Sequence, residues 1–151
     1  MPQSLCKIYL HVIFHVKTTS PTIMTEHLEQ MHKYIGGLVN STGCHILCVG
    51  GTENHVHALI IFSKTETVAH VVEEMKRNSS RWIKTLSPKY ERFAWQGGYA
   101  AFSVSQSNVD AVIAYIGNQE EHHKTQKYQD EYLRLLELHK IDYDERYVLS
   151  D

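Results

Sequence analysis

"HILCVGGTENHVHALIIF" (His45–Phe62) decides the fold. Two apolar runs, "HILCVG" and "HVHALIIF", flank the short "GTEN" turn, the signature of a β-hairpin. Alternation in the second run puts His55, His57, Leu59 and Ile61 on one face and Val56, Ala58, Ile60 and Phe62 on the other. The second set suits a core. The first carries two imidazoles one residue apart, which can converge on a single metal ion. The alternative is a pair of half-exposed strand histidines hydrogen-bonded to neighbours. With eleven histidines in the chain, one His-x-His arises readily from composition, so the pair needs partners elsewhere.

Upstream, "CKIYLHVIFHVK" (Cys6–Lys17) alternates, with Ile8, Leu10, Val12, Phe14 and Val16 on one face. This predicts a strand with one buried side. Past Pro21, Leu28, Met31, Ile35, Leu38 and Val39 recur at helical spacing, and Gly43 stops that helix. Downstream, a second helix runs from about Thr67 to Leu86. Its inner stripe is Val68, Val71, Val72, Met75, Ser79, Trp82, Ile83 and Leu86, with Pro88 beyond its end.

"GYAAFSVS" (Gly98–Ser105) is a further strand, after a Gly-Gly turn. Ser107 and Asp110 form a capping-box signature that opens a third helix near Asn108, with Val109, Val112, Ile113 and Ile116 as its buried stripe. The rest predicts another short amphipathic helix and an irregular end. The order β-α-β-β-α-β-α-α begins as a split βαβ, ferredoxin-like antiparallel sheet, an α+β fold. The expectation is one domain over 1–151, with 126–151 as a C-terminal extension.

Composition bounds the function. At 151 residues and 42% hydrophobic, the chain has enough material for one real core. No apolar run is long enough to span a membrane, and "MPQSLCKIYLHVIF" lacks the features of a secretion leader, so a cytoplasmic protein is expected. Cys6, Cys44 and Cys48 are odd in number and form no CxxC pair, which reads as reduced thiols, mostly in the core. The net charge is −2, but residues 120–151 hold nine acidic and five basic side chains. The body is therefore slightly basic and retains the possibility of a basic face.

Two further features carry chemistry. On the third helix, Tyr115 flanks the apolar stripe and Gln119 follows one turn later on the same side, so a phenol and an amide can both face a site on the sheet. His122 falls on nearly the same face. On the second helix, Lys76, Arg77, Ser80, Arg81 and Lys84 share one polar sector. That density suits phosphate contacts, and equally suits a solvated helix face.

Together, "HVHALIIF", "EEMKRNSSRWIK", "FAWQGGYAAFSVS" and "VIAYIGNQEEHH", in this order and spacing, resemble the small single-tyrosine HUH transposases of IS200-type insertion sequences, a group that includes the REP-associated tyrosine transposases. The resemblance implies a metal-dependent endonuclease and strand transferase. Its substrate would be single-stranded DNA with hairpin ends, cut through a 5′-phosphotyrosine intermediate. It makes His55 and His57 the HUH pair, Gln119 the third metal ligand and Tyr115 the nucleophile. Lys76, Arg77, Ser80, Arg81 and Lys84 would lie along the DNA, and the cofactor would be Mg²⁺ or Mn²⁺. It also implies a homodimer in which one subunit's tyrosine helix can complete the other's metal site. Two rival readings remain: a non-catalytic single-stranded nucleic-acid-binding module, and a small metallohydrolase in which water attacks and Tyr115 is incidental.

Overall fold

The computed structural model describes residues 2–124 and 126–150. Its elements are β1 (Ile8–His15), α1 (Thr25–Ser41), β2 (His45–Thr52), β3 (His55–Phe62), α2 (Val68–Ile83), β4 (Ala100–Val104), α3 (Val109–Gly117), α4 (Gln119–His122) and α5 (Tyr128–Leu138). The strands form one antiparallel sheet in the order β2-β3-β1-β4, the expected α+β arrangement. β1 sits inside the sheet, opposing His15 to His55 and Ile13 to His57 on one side and Ile13 to Ala100 on the other.

The hairpin is tighter than its four-letter turn implies. Thr52 pairs directly with His55, so only Glu53 and Asn54 make the reversal. Gly51 permits this: its φ is +143°, and a Cβ there would meet the His55 carbonyl oxygen at 2.2 Å. The glycine thus fixes His55 as the first residue of β3.

One sheet face is apolar. Val12, Phe14, Val56, Ala58 and Ile60 bury against Met31, Ile35 and Val39 of α1 and Val71, Val72, Met75 and Ile83 of α2. Phe14 meets Trp95 edge-on at 4.8 Å, and the Trp95 indole N–H donates to Ser79 Oγ at 3.0 Å, which explains a serine inside an apolar stripe. Thr67 caps α2 by accepting from the His70 amide at 3.1 Å.

The opposite face is buried too, contrary to the expectation of a strand with one covered side. Tyr132, Leu135 and Leu136 of α5 cover Ile13, Ala100 and Phe102, while Val109 and Ile116 of α3 cover Tyr9 and Leu59. The chain returns over the sheet after β4, so His11 and His15 are enclosed as well. Smaller expectations also change. Ile113 is exposed, because α3 turns only Val109 and Ile116 fully inward. The Ser107–Asp110 capping box does not form; a single 3₁₀ turn, Gln106–Asn108, leads into α3 instead. Cys6 is exposed, Cys48 half-buried and Cys44 buried. Among the described residues, no helix is long and apolar enough to cross a membrane.

Candidate active site

His55 and His57 project from β3 under the C-terminal helices and are essentially inaccessible. α3 ends at Gly117 and α4 begins at Gln119, yet that break keeps Gln119 beside Tyr115: its Nε2 donates to the Tyr115 carbonyl oxygen at 3.5 Å. The Gln119 Oε1 lies 2.9 Å from His55 Nε2, and the Tyr115 ring stands edge-on to His57 with centroids 5.8 Å apart. Four residues singled out from sequence, His55, His57, Tyr115 and Gln119, therefore meet at one place within one chain. Within this chain, Tyr115 stands beside the chain's own histidines.

A fifth member arrives from α5. The Glu131 carboxylate is buried in the middle of the cluster. Tyr115 Oη donates to its Oε2, and Gln119 Nε2 donates to the same oxygen at 3.2 Å. Its Oε1 lies 3.0 Å from His57 Nε2, 3.2 Å from His123 Nε2 and 3.8 Å from His55 Nε2. Burying an unpaired carboxylate costs several kcal/mol, so this ring of partners is what makes the position tolerable. Burial pushes the Glu131 pKa up, but hydrogen bonding and charge from His57, with Tyr115 and His55, outweigh it and hold the group ionised. Burial raises the Tyr115 phenol, and the carboxylate it donates to adds to that rise. Burial also lowers His11 and His55 to about 3, helped by the neighbouring His57, so both are neutral imidazoles.

Neutral imidazoles are what a metal requires. His55 Nδ1 lies 2.9 Å from Asn54 Oδ1, an oxygen that already accepts from Thr52 Oγ1 at 3.1 Å. Thr52 Oγ1 also lies 3.0 Å from Nδ1, so the far side of the ring is anchored at two atoms, and the tautomer with its proton on Nδ1 offers Nε2 as a ligand. His55 Nε2 faces Gln119 Oε1, whose amide is oriented by the two bonds that its nitrogen donates. In that tautomer Nε2 and Gln119 Oε1 are two acceptors 2.9 Å apart, an arrangement that a cation between them satisfies. Two imidazole nitrogens, an amide oxygen and a carboxylate make a donor set that fits a divalent ion. His55, His57 and Glu131 bring ligand atoms within 4.8 Å of one another. His57 Nδ1 lies 2.7 Å from His11 Nε2, so His11 can fix the ring that presents His57 Nε2.

The basic sector lies elsewhere. α2 packs on the apolar face of the sheet, so Lys76, Arg77, Ser80, Arg81 and Lys84 are not brought to the histidines. Lys76 Nζ donates to the Gly98 carbonyl at 2.8 Å, and burial lowers it to about 8. Arg77 is held by Glu73 at 2.8 Å and Glu74 at 2.6 Å, and Ser80 Oγ donates to the Phe93 carbonyl at 3.5 Å. Arg81 and Lys84 are exposed. Lys76, Arg77, Ser80 and Lys84 line a groove of about 470 Å³ with Trp95 and Tyr99. Gln96 to Tyr99 continue from that groove into a second one beside α5.

Residues 4–119 match the family described as "Transposase IS200 like". The chain belongs to the IS200-like transposase family. Two solved structures share the transposase's fold. A putative transposase from Deinococcus radiodurans is 18% identical, with a TM-score of 0.60 over 79% of this chain and 98% of that one. A REP-associated tyrosine transposase, solved bound to a REP hairpin, is 12% identical, with a TM-score of 0.60 over 82% of this chain and 73% of that one. No curated protein sequence matches.

The family match ends at Gln119, twelve residues short of the transposase's Glu131. Glu131, His11 and His123 are the site residues that sequence reasoning missed. One signal for Glu131 was present: it occupies an inward position of the α5 stripe that continues through Tyr132, Leu135 and Leu136. A carboxylate in an apolar stripe calls for a buried partner.

Proposed function

We propose that this transposase is a metal-dependent endonuclease and strand transferase for single-stranded DNA with hairpin ends, with Tyr115 as nucleophile. One observation carries the reading: the Tyr115 hydroxyl joins the buried His55–His57–Gln119–Glu131 cluster within one chain. A Mg²⁺ or Mn²⁺ ion held by His55 Nε2, His57 Nε2, Gln119 Oε1 and Glu131 would polarise the scissile phosphate and stabilise the departing 3′ oxygen. The chain's own groups do the rest. Glu131 orients the phenol by accepting its hydrogen bond, and His11 holds the His57 ring. Tyr115 Oη attacks phosphorus, the P–O3′ bond breaks, and the 3′ oxygen leaves as a hydroxyl while the phenol gives up its proton. The 5′-phosphotyrosine retains the energy of the phosphodiester, so a second 3′-OH can attack it and join new ends.

Because α5 buries the cluster, a strand reaches Tyr115 only when that helix shifts aside. Arg81, Lys84 and the groove below them would hold phosphates away from the reacting bond. The relative solved with a REP hairpin supports a hairpin-bearing ligand. In a homodimer, each chain would work with its own tyrosine.

The decisive experiment incubates the protein with hairpin-bearing single-stranded DNA and Mn²⁺ and resolves the products on a denaturing gel. Wild type should form a covalent protein–DNA adduct, and Tyr115→Phe should bind DNA yet form none. An adduct persisting in Tyr115→Phe would remove Tyr115 from the reaction. Cleavage without any adduct would favour the metallohydrolase reading, and binding without cleavage the non-catalytic module.

A further inference from the structure

His122 and His123 are consecutive residues at the end of a one-turn helix, yet both turn toward the same carboxylate. His122 Nε2 lies 3.2 Å from Glu131 Oε2, and His123 Nε2 lies 3.2 Å from Glu131 Oε1. With Glu131 they form a second group whose ligand atoms all lie within 4.8 Å of one another. Neither histidine is needed for the first group, which His55, His57 and the same glutamate complete on the other side.

The ring orientations suit a shared cation. His123 Nδ1 lies 2.5 Å from the Gln126 carbonyl oxygen. A backbone carbonyl only accepts, so Nδ1 donates there, and Nε2 is the ring nitrogen turned to Glu131 Oε1. His55 is turned in the same way, with Nδ1 anchored by its neighbours and Nε2 toward Gln119 Oε1. A ring fixed by a backbone carbonyl on its far nitrogen is the usual support of a metal-binding histidine. Two imidazoles and a carboxylate suit a transition-metal dication such as Zn²⁺ or Mn²⁺ better than Mg²⁺.

We propose that His122, His123 and Glu131 form a second divalent-cation site, bridged through the Glu131 carboxylate to the one at His55 and His57. The inference rests on the proposed metal centre for its shared ligand. Carboxylate-bridged pairs of this kind place their ions roughly 3.5–4 Å apart. The second ion joins three segments: α4 through His122, the following turn through His123, and α5 through Glu131. It also adds positive charge beside Tyr115, whose ring centroid is 5.3 Å from that of His122. An ion here therefore clamps α5 over the sheet.

The test counts ions on the full-length chain. Equilibrium dialysis against Zn²⁺, followed by metal analysis, should give two ions per chain for wild type. One should remain in His122→Ala/His123→Ala, and one in His55→Ala/His57→Ala. Circular dichroism checks that each variant is folded; should a double variant unfold, His123→Gln alone supplies the count. Mn²⁺-loaded wild type should show the paramagnetic resonance spectrum of an exchange-coupled pair, which the His122→Ala/His123→Ala protein should lose. One ion in wild type, lost with His55 and His57 but not with His122 and His123, overturns the second site and leaves the first standing. Two ions undiminished in the His122→Ala/His123→Ala protein mean adventitious binding and also overturn it. No bound ion in wild type removes both sites.

Discussion

The two faces of this sheet are built from the same strands under opposite rules. On one, Val12, Phe14, Val56, Ala58 and Ile60 meet two amphipathic helices, and each contact adds dispersion and removes apolar area from water. On the other, His11, His15, His55 and His57 are as deeply buried, but are stabilised by partners named atom by atom. Substitution on the first face should therefore cost energy in proportion to volume. On the second, it should depend on which partner is left alone. An apolar layer tolerates approximate fit, whereas a buried polar one fails when a single acceptor is unmatched.

The largest effect should come from the apolar face. Phe14→Ala should cost about 3–5 kcal/mol in urea unfolding, with refolded protein keeping its metal stoichiometry. Loss of metal with retained stability would erase the distinction between the faces.

Acid should act through the buried histidines, which stand mostly on the polar face. His11 and His55 have folded pKa values of about 3, against an ordinary 6.5. Below pH 6.5 the unfolded chain takes up protons that the folded chain refuses. Metal-free stability should therefore fall as pH drops from 6.5 toward 3, by up to about 1.4 kcal/mol per pH unit for each histidine. Melting curves at pH 7 and pH 5 measure this, and His11→Gln should flatten the dependence. A melting temperature unchanged across that interval would show that these rings are not held neutral by burial.

Exposed α2 residues should barely register in folding. Arg81→Ala with Lys84→Ala should change stability by about 0.5 kcal/mol or less, while lowering the salt slope of single-strand binding by about 0.7 per lost phosphate contact. An unaltered slope would place the strand away from α2. The last expected effect is none. Mixing His57→Ala with Tyr115→Phe, with subunit exchange verified, should restore no cleavage, because each chain's tyrosine lies against its own histidines. Recovered activity would show that the helices exchange between subunits.

The two faces also differ in how far sequence reveals them. The apolar layer was legible because alternation in β1 and β3 and the 3.6 period in α1 and α2 are local signals. The His55–His57 pair was visible for the same reason, and Tyr115 with Gln119 by helical spacing. Glu131 was not, because its role depends on a long-range return of the chain over the sheet. His11 sits on the face of β1 that alternation assigned to solvent. Its partner His57 stands on the neighbouring strand, and only the helices covering that face bury the pair. The α2 cluster was legible as charge but not as placement, since intrahelical pairs with Glu73 and Glu74 hold Arg77.

Gly50 is neither catalytic nor charged, and it pairs with His57 across the hairpin. A methyl group placed there would lie 2.4 Å from the Ile116 carbonyl oxygen and 2.8 Å from its Cγ2. The helix bearing Tyr115 comes this near the sheet only because β2 has a notch one side chain wide. A wedge in that notch would lever α3 outward and carry phenol and amide away from the imidazoles together, with every functional group still present. Gly50→Ala would then score in an activity screen as the loss of a catalytic residue, and the dead enzyme would hold an intact inventory of ligands that no longer meet.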